Sequence, residues 1–221
     1  VLTTFPDHQD SHLNLREYYS AKASIAKYQR PVDKIFFFPH DKVSAWIAAQ
    51  SRGKKIPVSV EHFTWFAPDD LRTKGAHNFK NAVIAATVAH ALGIPRKTIV
   101  KTIKAYRGLE HRLEYVRTLR VSPRLDPRKS AHAIAWYNDS ASTNPHTAAA
   151  ALQAFPNQQK ILIAGGQDKN LNYRPLAQTL KKLKKEMTAI ILFGENRNKI
   201  ARTIRSPGVR IKLVRDLRTA V

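Results

Sequence analysis

Apolar residues recur at helical spacing in "SHLNLREYYSAKASIAKY", which predicts a helix with Ser11 or Asn14 as its cap. The short apolar run "DKIFFFP" predicts a strand. "KVSAWIAAQSRG" reads as a helix that stops at Gly53, and "IPVSVEHFTWFAP" as one or two strands. "AHNFKNAVIAATVAHALGI" is a helix of small residues ending near Gly93. Pro95 then opens another, "PRKTIVKTIKAY".

The texture changes after "RGLEHR". "RLEYVRTLRVS" and "AHAIAWYND" read as two strands around the polar turn "PRLDPRKS". Helix and strand then alternate: "PHTAAAALQAF", "KILIAGG", "YRPLAQTLKKLKKEM", "TAIILFG", "NRNKIARTI" and "VRIKLV". This rhythm predicts an α/β protein with a mostly parallel sheet and helices on both faces. The boundary between two domains is expected near Arg107–Leu109, giving 1–108 and 109–221.

Composition narrows the classes. Of 221 residues 43% are hydrophobic, enough for a packed core rather than a disordered chain. No apolar run approaches the roughly 18 residues needed to cross a bilayer, so no membrane partner is expected. There is no Cys, which removes disulfides, thiolate metal sites and thiol nucleophiles and fits a reducing compartment. Lys and Arg number 38 against 16 Asp and Glu, a formal charge of +22 that raises polyanions as partners. The charge is spread, with 17 basic and 8 acidic residues in 1–108 and 21 and 8 in 109–221. The densest cluster, "LKKLKKE", is either a solvated helix face or a polyanion contact. No helix-turn-helix, zinc spacing or interleaved aromatic-basic motif supports a dedicated nucleic-acid module, so nucleic acid is expected to bind non-specifically if at all.

Ligands of open α/β sheets bind beyond the carboxyl ends of the strands. Three polar strand ends, "YNDSASTNP", "AGGQDKN" and "FGEN", are therefore expected along one rim, offering Asp139, Thr143, Asp168, Lys169 and Glu195. Asn144 before Pro145 is suited to cap the next helix. Lys169 beside Asp168 is either a local ion pair or a ligand contact. No phosphate loop of the form GxxxxGK[ST] occurs. Near the start, Asp7, His8, Asp10 and His12 form either a metal or phosphate site or a polar turn that starts a helix. His77 and His111 are isolated, and a lone His is more often structural than catalytic.

Five stretches in one order carry a family resemblance. They are "TTFPDHQDSH…REYYSAKASI", "GAHNFKNAVIAATVAHALGI", "GLEHRLEYV", "YNDSASTNPHTAAAAL" and "ILIAGGQDKNLNYRPLA". Together they resemble the Mur ligases, and within them the branch that adds D-glutamate. The resemblance implies an ATP- and Mg2+-dependent cytoplasmic amide ligase of peptidoglycan synthesis. Its substrates would be UDP-N-acetylmuramoyl-L-alanine and D-glutamate, joined through an acyl phosphate. It also implies that 1–108 is the second half of a mononucleotide-binding ATPase domain. On the same ground, 109–221 is expected to be a Rossmann-like domain that binds the amino acid. The chain opens on what reads as the end of a strand, so a piece of a longer enzyme, inactive alone, is expected.

The implied roles follow by position. His8 matches a magnesium-binding histidine, and Lys22 a lysine that is carbamylated and so becomes a metal ligand. His77, Asn78 and Asn81 match the family's "HNxxN" segment, with Asn81 at the nucleotide. Arg112 matches an arginine that reaches ATP, and Asp139 an acid that holds the ribose. Thr143 and Lys169 match positions near the amino-acid substrate. One departure is Ala141, where many relatives carry Lys. It leaves open a Mur-like or folylpolyglutamate-type ligase with another substrate.

Overall fold

In a computed structural model of the chain, residues 1, 12, 14–121, 132–204 and 208–221 are described. They form two compact units, Val1–Arg72 with Ala76–Tyr106, and Thr73–Gly75 with Arg107–Val221.

The first unit begins with α1 (Leu15–Lys27), capped by Asn14, whose Oδ1 accepts from the Glu17 N–H at 3.0 Å. It continues with β1 (Lys34–Phe37), α2 (Lys42–Ala49) and β2 (Lys54–Pro57). β1 and β2 pair in parallel, with Ile35 opposite Lys55, so α2 is the crossover that parallel pairing requires. The helix α2 ends at Ala49, short of the expected stop. Gly53 serves a different purpose: a Cβ there would meet the Asp33 carbonyl oxygen at 2.5 Å. α3 (Ala76–Ala91) and α4 (Arg96–Ala105) complete the unit.

Two apolar clusters sandwich the strands. Ala23 and Ala26 of α1 and Ile47 and Ala48 of α2 close on Ile35. Phe38, Val58, Phe66 and Leu71 pack with Val83, Ile84 and Ala86 of α3 and Ile99 of α4. The expected strands in "IPVSVEHFTWFAP" reduce to β2 alone. Its aromatic residues lie in loops instead, where Phe63 stacks near Trp65 and Phe66 with centroids 5.2 and 4.8 Å apart. Alternating aromatic residues can fill a core from a loop as well as from a strand, and periodicity does not tell the two apart.

The second unit opens with an antiparallel pair, β3 (Glu114–Val121) and β4 (His132–Asn138), with a register irregularity between Tyr115 and Arg117. α5 (Pro145–Gln153) follows, capped by Asn144, whose Oδ1 accepts from the His146 and Thr147 N–H groups at 3.0 Å. Then come β5 (Lys160–Gly166), α6 (Arg174–Lys182), β6 (Met187–Gly194), α7 (Arg197–Thr203), β7 (Arg210–Leu213) and the short α8 (Leu217–Ala220). β5, β6 and β7 form a parallel sheet in that order. Its core joins Ile190 and Leu192 of β6 to Leu176 and Leu180 of α6, Ile200 of α7 and Leu152 of α5.

The architecture is therefore α/β with mostly parallel strands. One expectation changes. β4 pairs with β3, and among the described residues it has no ladder to β5–β7. Its end does not extend the rim formed by β5 and β6.

Candidate active site

In the first unit, an open cleft of about 200 Å³ lies beyond the carboxyl ends of β1 and β2. It is lined by Phe38, His40, Asp41, Val58 and Glu61, together with Lys80 of α3. Lys80 stands between Asn78 and Asn81, so the first turns of α3 border this cleft. Asn81 is exposed, while His77 and Asn78 are partly buried. Asp41 is committed to capping α2, its Oδ1 accepting from the Ser44 N–H at 2.8 Å.

Lys22 lies on α1 with its side chain exposed and its Nζ 4.7 Å from the centroid of the buried Tyr18 ring. The i, i+4 spacing on a helix brings the two together. His12 meets the same ring edge-on at 5.4 Å and approaches Glu17 at 3.8 Å. His8, with Asp7 and Asp10, lies outside the described residues. Among the described residues no three His, Asp or Glu side chains gather as a metal site. A bare lysine ammonium repels a divalent cation, so Lys22 fits a magnesium site only as a carbamate.

In the second unit, two loops fasten to each other around Arg112. The Leu113 N–H donates to Asp139 Oδ1 at 3.0 Å, and the Ser142 hydroxyl donates to Asp139 Oδ2. The Ala141 N–H donates to the His111 carbonyl at 3.0 Å. Asn138 Nδ2 donates to His111 Nδ1 at 2.8 Å, and the His111 N–H donates to Glu114 Oε2 at 2.9 Å. Asp139 thus holds protein groups with both oxygens. Thr143 beside this loop is exposed. His111 is a member of this network and not an isolated residue. Glu114, three positions on in "HRLEY", reads in the sequence as an ordinary strand residue.

A third group sits at the carboxyl ends of β5 and β6. The Asn196 N–H donates to the Gly166 carbonyl at 3.2 Å, and the Asp168 N–H to Glu195 Oε2 at 3.4 Å. The "AGGQDKN" and "FGEN" strand ends are therefore adjacent, as the rim argument requires. Asp168 pairs with Lys199 of α7, whose Nζ donates to its two oxygens at 2.9 and 3.1 Å, and not with Lys169. The Lys199 hydrogen bond holds the Asp168 carboxyl below the usual carboxylate range. Lys169 is exposed, and among the described residues its amine has no hydrogen-bond or ion-pair partner. Tyr173, buried beneath this rim, accepts from Asn196 Nδ2 at 2.9 Å, and burial pushes its hydroxyl pKa up. Lys199 lies 31 residues from Asp168 and Asn196 lies 23 from Tyr173, beyond the reach of any local pattern.

Both units place polar groups beyond their parallel strand ends, and among the described residues Arg112 and Lys169 of the second are exposed cations without a partner, which suits anionic ligands. Residues 123–221 match the model of the Mur ligase glutamate ligase domain. The chain is 29% identical over 222 residues to the UDP-N-acetylmuramoylalanine–D-glutamate ligase of Legionella pneumophila, covering 90% of this chain and 46% of that protein. It is 31% identical over 204 residues to the same-named ligase of Aquifex aeolicus, covering 88% of this chain and 45% of that one. Among solved structures it resembles MurF from Acinetobacter baumannii, with a TM-score of 0.70 at 18% identity over 99% of this chain and 50% of that one. A murein peptide ligase from Psychrobacter arcticus gives 0.58 at 13% identity, over 91% of this chain and 47% of that one. The two structures bear on the fold alone. The chain is thus similar in sequence to the Mur ligases. Its sequence kinship is with those named for D-glutamate, and it spans about half the length of the curated relatives it matches.

Proposed function

We propose that the protein carrying this sequence is an ATP-dependent amide ligase that joins D-glutamate to UDP-N-acetylmuramoyl-L-alanine. The observation that carries this reading is the run of relatives named as D-glutamate ligases, matched along about nine-tenths of the chain. In this reading 1–108 is the second half of the central ATPase domain, and 109–221 is the Rossmann-like domain that binds the amino acid. The reaction takes place in the cytoplasm, where ATP is available. No helix among the described residues is long and apolar enough to cross a membrane.

ATP, when bound, supplies the phosphoryl group that activates the substrate carboxylate. The protein's part is to neutralise charge and to orient the reactants. Asn78, Asn81, Arg112 and Asp139 are assigned to the nucleotide. The exposed guanidinium of Arg112, unpaired among the described residues, suits phosphate oxygens, which a planar fork can bind bidentately. Asn81 is exposed at the second turn of α3, close to the cleft. Thr143 and Lys169 are assigned to the substrate, Lys169 as an available cation for a carboxylate. His8 and carbamylated Lys22 would hold Mg2+. The exposure of Lys22 supports this, since its amine is open to dissolved carbon dioxide.

The test is ADP release by the intact gene product given UDP-N-acetylmuramoyl-L-alanine and each candidate amino acid. Release that depends on D-glutamate is expected. Equal or greater release with diaminopimelate or L-alanine on the matching acceptor would move the protein to another branch.

A further inference from the structure

The turn that carries Arg112 is held in a conformation its own residues resist. His111 has φ +63° and Leu113 φ +46°, so residues with side chains occupy the left-handed region on both sides of Arg112. That region is disfavoured for any residue with a Cβ, and such strain persists only where neighbours impose it. Here hydrogen bonds hold the residues on both sides of Arg112. The Arg112 N–H closes the turn onto the Leu109 carbonyl at 3.3 Å. His111 is held by Glu114 through its N–H and by Ala141 through its carbonyl, and Leu113 is held by Asp139 through its N–H. The Arg112 side chain is exposed and has no hydrogen bond or ion pair among the described residues. A turn held on both sides thus presents a guanidinium that is exposed and without a hydrogen bond among the described residues.

We propose that Glu114 and Asp139 are positioning residues that clamp this left-handed turn, so that Arg112 meets a polyphosphate already oriented. The inference rests on the reading above that Arg112 serves ATP. A cation fixed before binding loses less freedom when its ligand arrives, which raises affinity without a new contact. Ala141 contributes through its backbone N–H alone. The clamp therefore needs no side chain at position 141.

The test is steady-state kinetics in ATP with the intact gene product. Arg112→Ala and Glu114→Ala are each expected to raise the KM for ATP roughly tenfold, with the KM for D-glutamate held within about twofold. The double variant should be no worse than Arg112→Ala alone, because Glu114 acts through Arg112. Glu114→Gln keeps an acceptor for the His111 N–H and should stay within about threefold of wild type. Glu114→Asp keeps the charge but falls one methylene short, and should behave like the alanine variant even if the latter folds poorly. Single effects that multiply to roughly a hundredfold in the double variant overturn the clamp and leave the nucleotide reading standing. An unchanged KM for ATP in both Glu114→Ala and Glu114→Asp does the same. An Arg112→Ala enzyme with unchanged KM for ATP overturns both readings.

Discussion

Asn144 shows what one residue contributes when its surroundings are dry. Its side chain is buried, and its Oδ1 accepts from two N–H groups of the first turn of α5 that have no other intrahelical acceptor. Asn144→Ala is expected to cost about 1 kcal/mol, measured as a lower urea midpoint with an unchanged slope. Asp168 is a different case, because it is exposed and its partner is Lys199. Its folded pKa lies below the unfolded value, so the tie is fully present above the ordinary carboxylate range of about 3.9. It fades as pH falls through the folded pKa. Asp168→Asn should remove that contribution, leaving thermal stability slightly lower near pH 7 and unchanged near pH 2, as melts from pH 2 to 7 would record. The capping role of Asn144 was legible because capping is local. The partner of Asp168 was not, since Lys169 is adjacent in sequence while Lys199 arrives from α7.

At the scale of elements, β5 and β6 meet where only glycine fits. A Cβ on Gly165 would lie 2.0 Å from the Phe193 carbonyl oxygen, and one on Gly194 would lie 2.7 Å from that of Gly166. The strand ends can therefore approach closely enough to set the "AGGQDKN" and "FGEN" loops side by side. At the other end of β5, Lys160 is buried and its ammonium is held by Glu186 and the Gln158 carbonyl. Removing the carboxylate leaves a buried charge, so Glu186→Ala should cost about 3 kcal/mol. Replacing both partners together, as Lys160→Met with Glu186→Leu, should recover most of that loss, and guanidinium unfolding of the three variants would show it. The basic run "LKKLKKE" divides here into the end of α6 and a short 3-10 turn. Four of its lysines are exposed, while its glutamate is drawn inward to Lys160.

At the scale of the whole molecule, the charge of +22 is spread along the chain rather than gathered in one tail or patch of sequence. Binding to duplex DNA is expected to be weak and indifferent to sequence, no tighter than about 1 μM at 0.15 M salt. It should fall steeply as salt rises. A fluorescence-anisotropy titration at several salt concentrations would check this, and tight binding at physiological salt would contradict it. The same charge is compatible with small polyanionic ligands.

What the sequence determined alone follows from the range of its interactions. Helices α1, α3, α4 and α5 and the strands β1, β5 and β6 are written in spacings of two to four residues, which local backbone geometry obeys. The ordered motifs carried the resemblance to the Mur ligases because residue identity is legible in sequence even where contacts are not. Tertiary structure decided which elements pair and which polar groups meet. It joined β4 to β3 and kept the aromatic residues after β2 in loops. It also bound Asp168 to Lys199, and turned Asp139 and Glu114 into a clamp on the turn of Arg112. Those outcomes depend on groups that lie far apart in the chain or on backbone angles that no residue type announces. Only the closing of the core brings them within bonding distance.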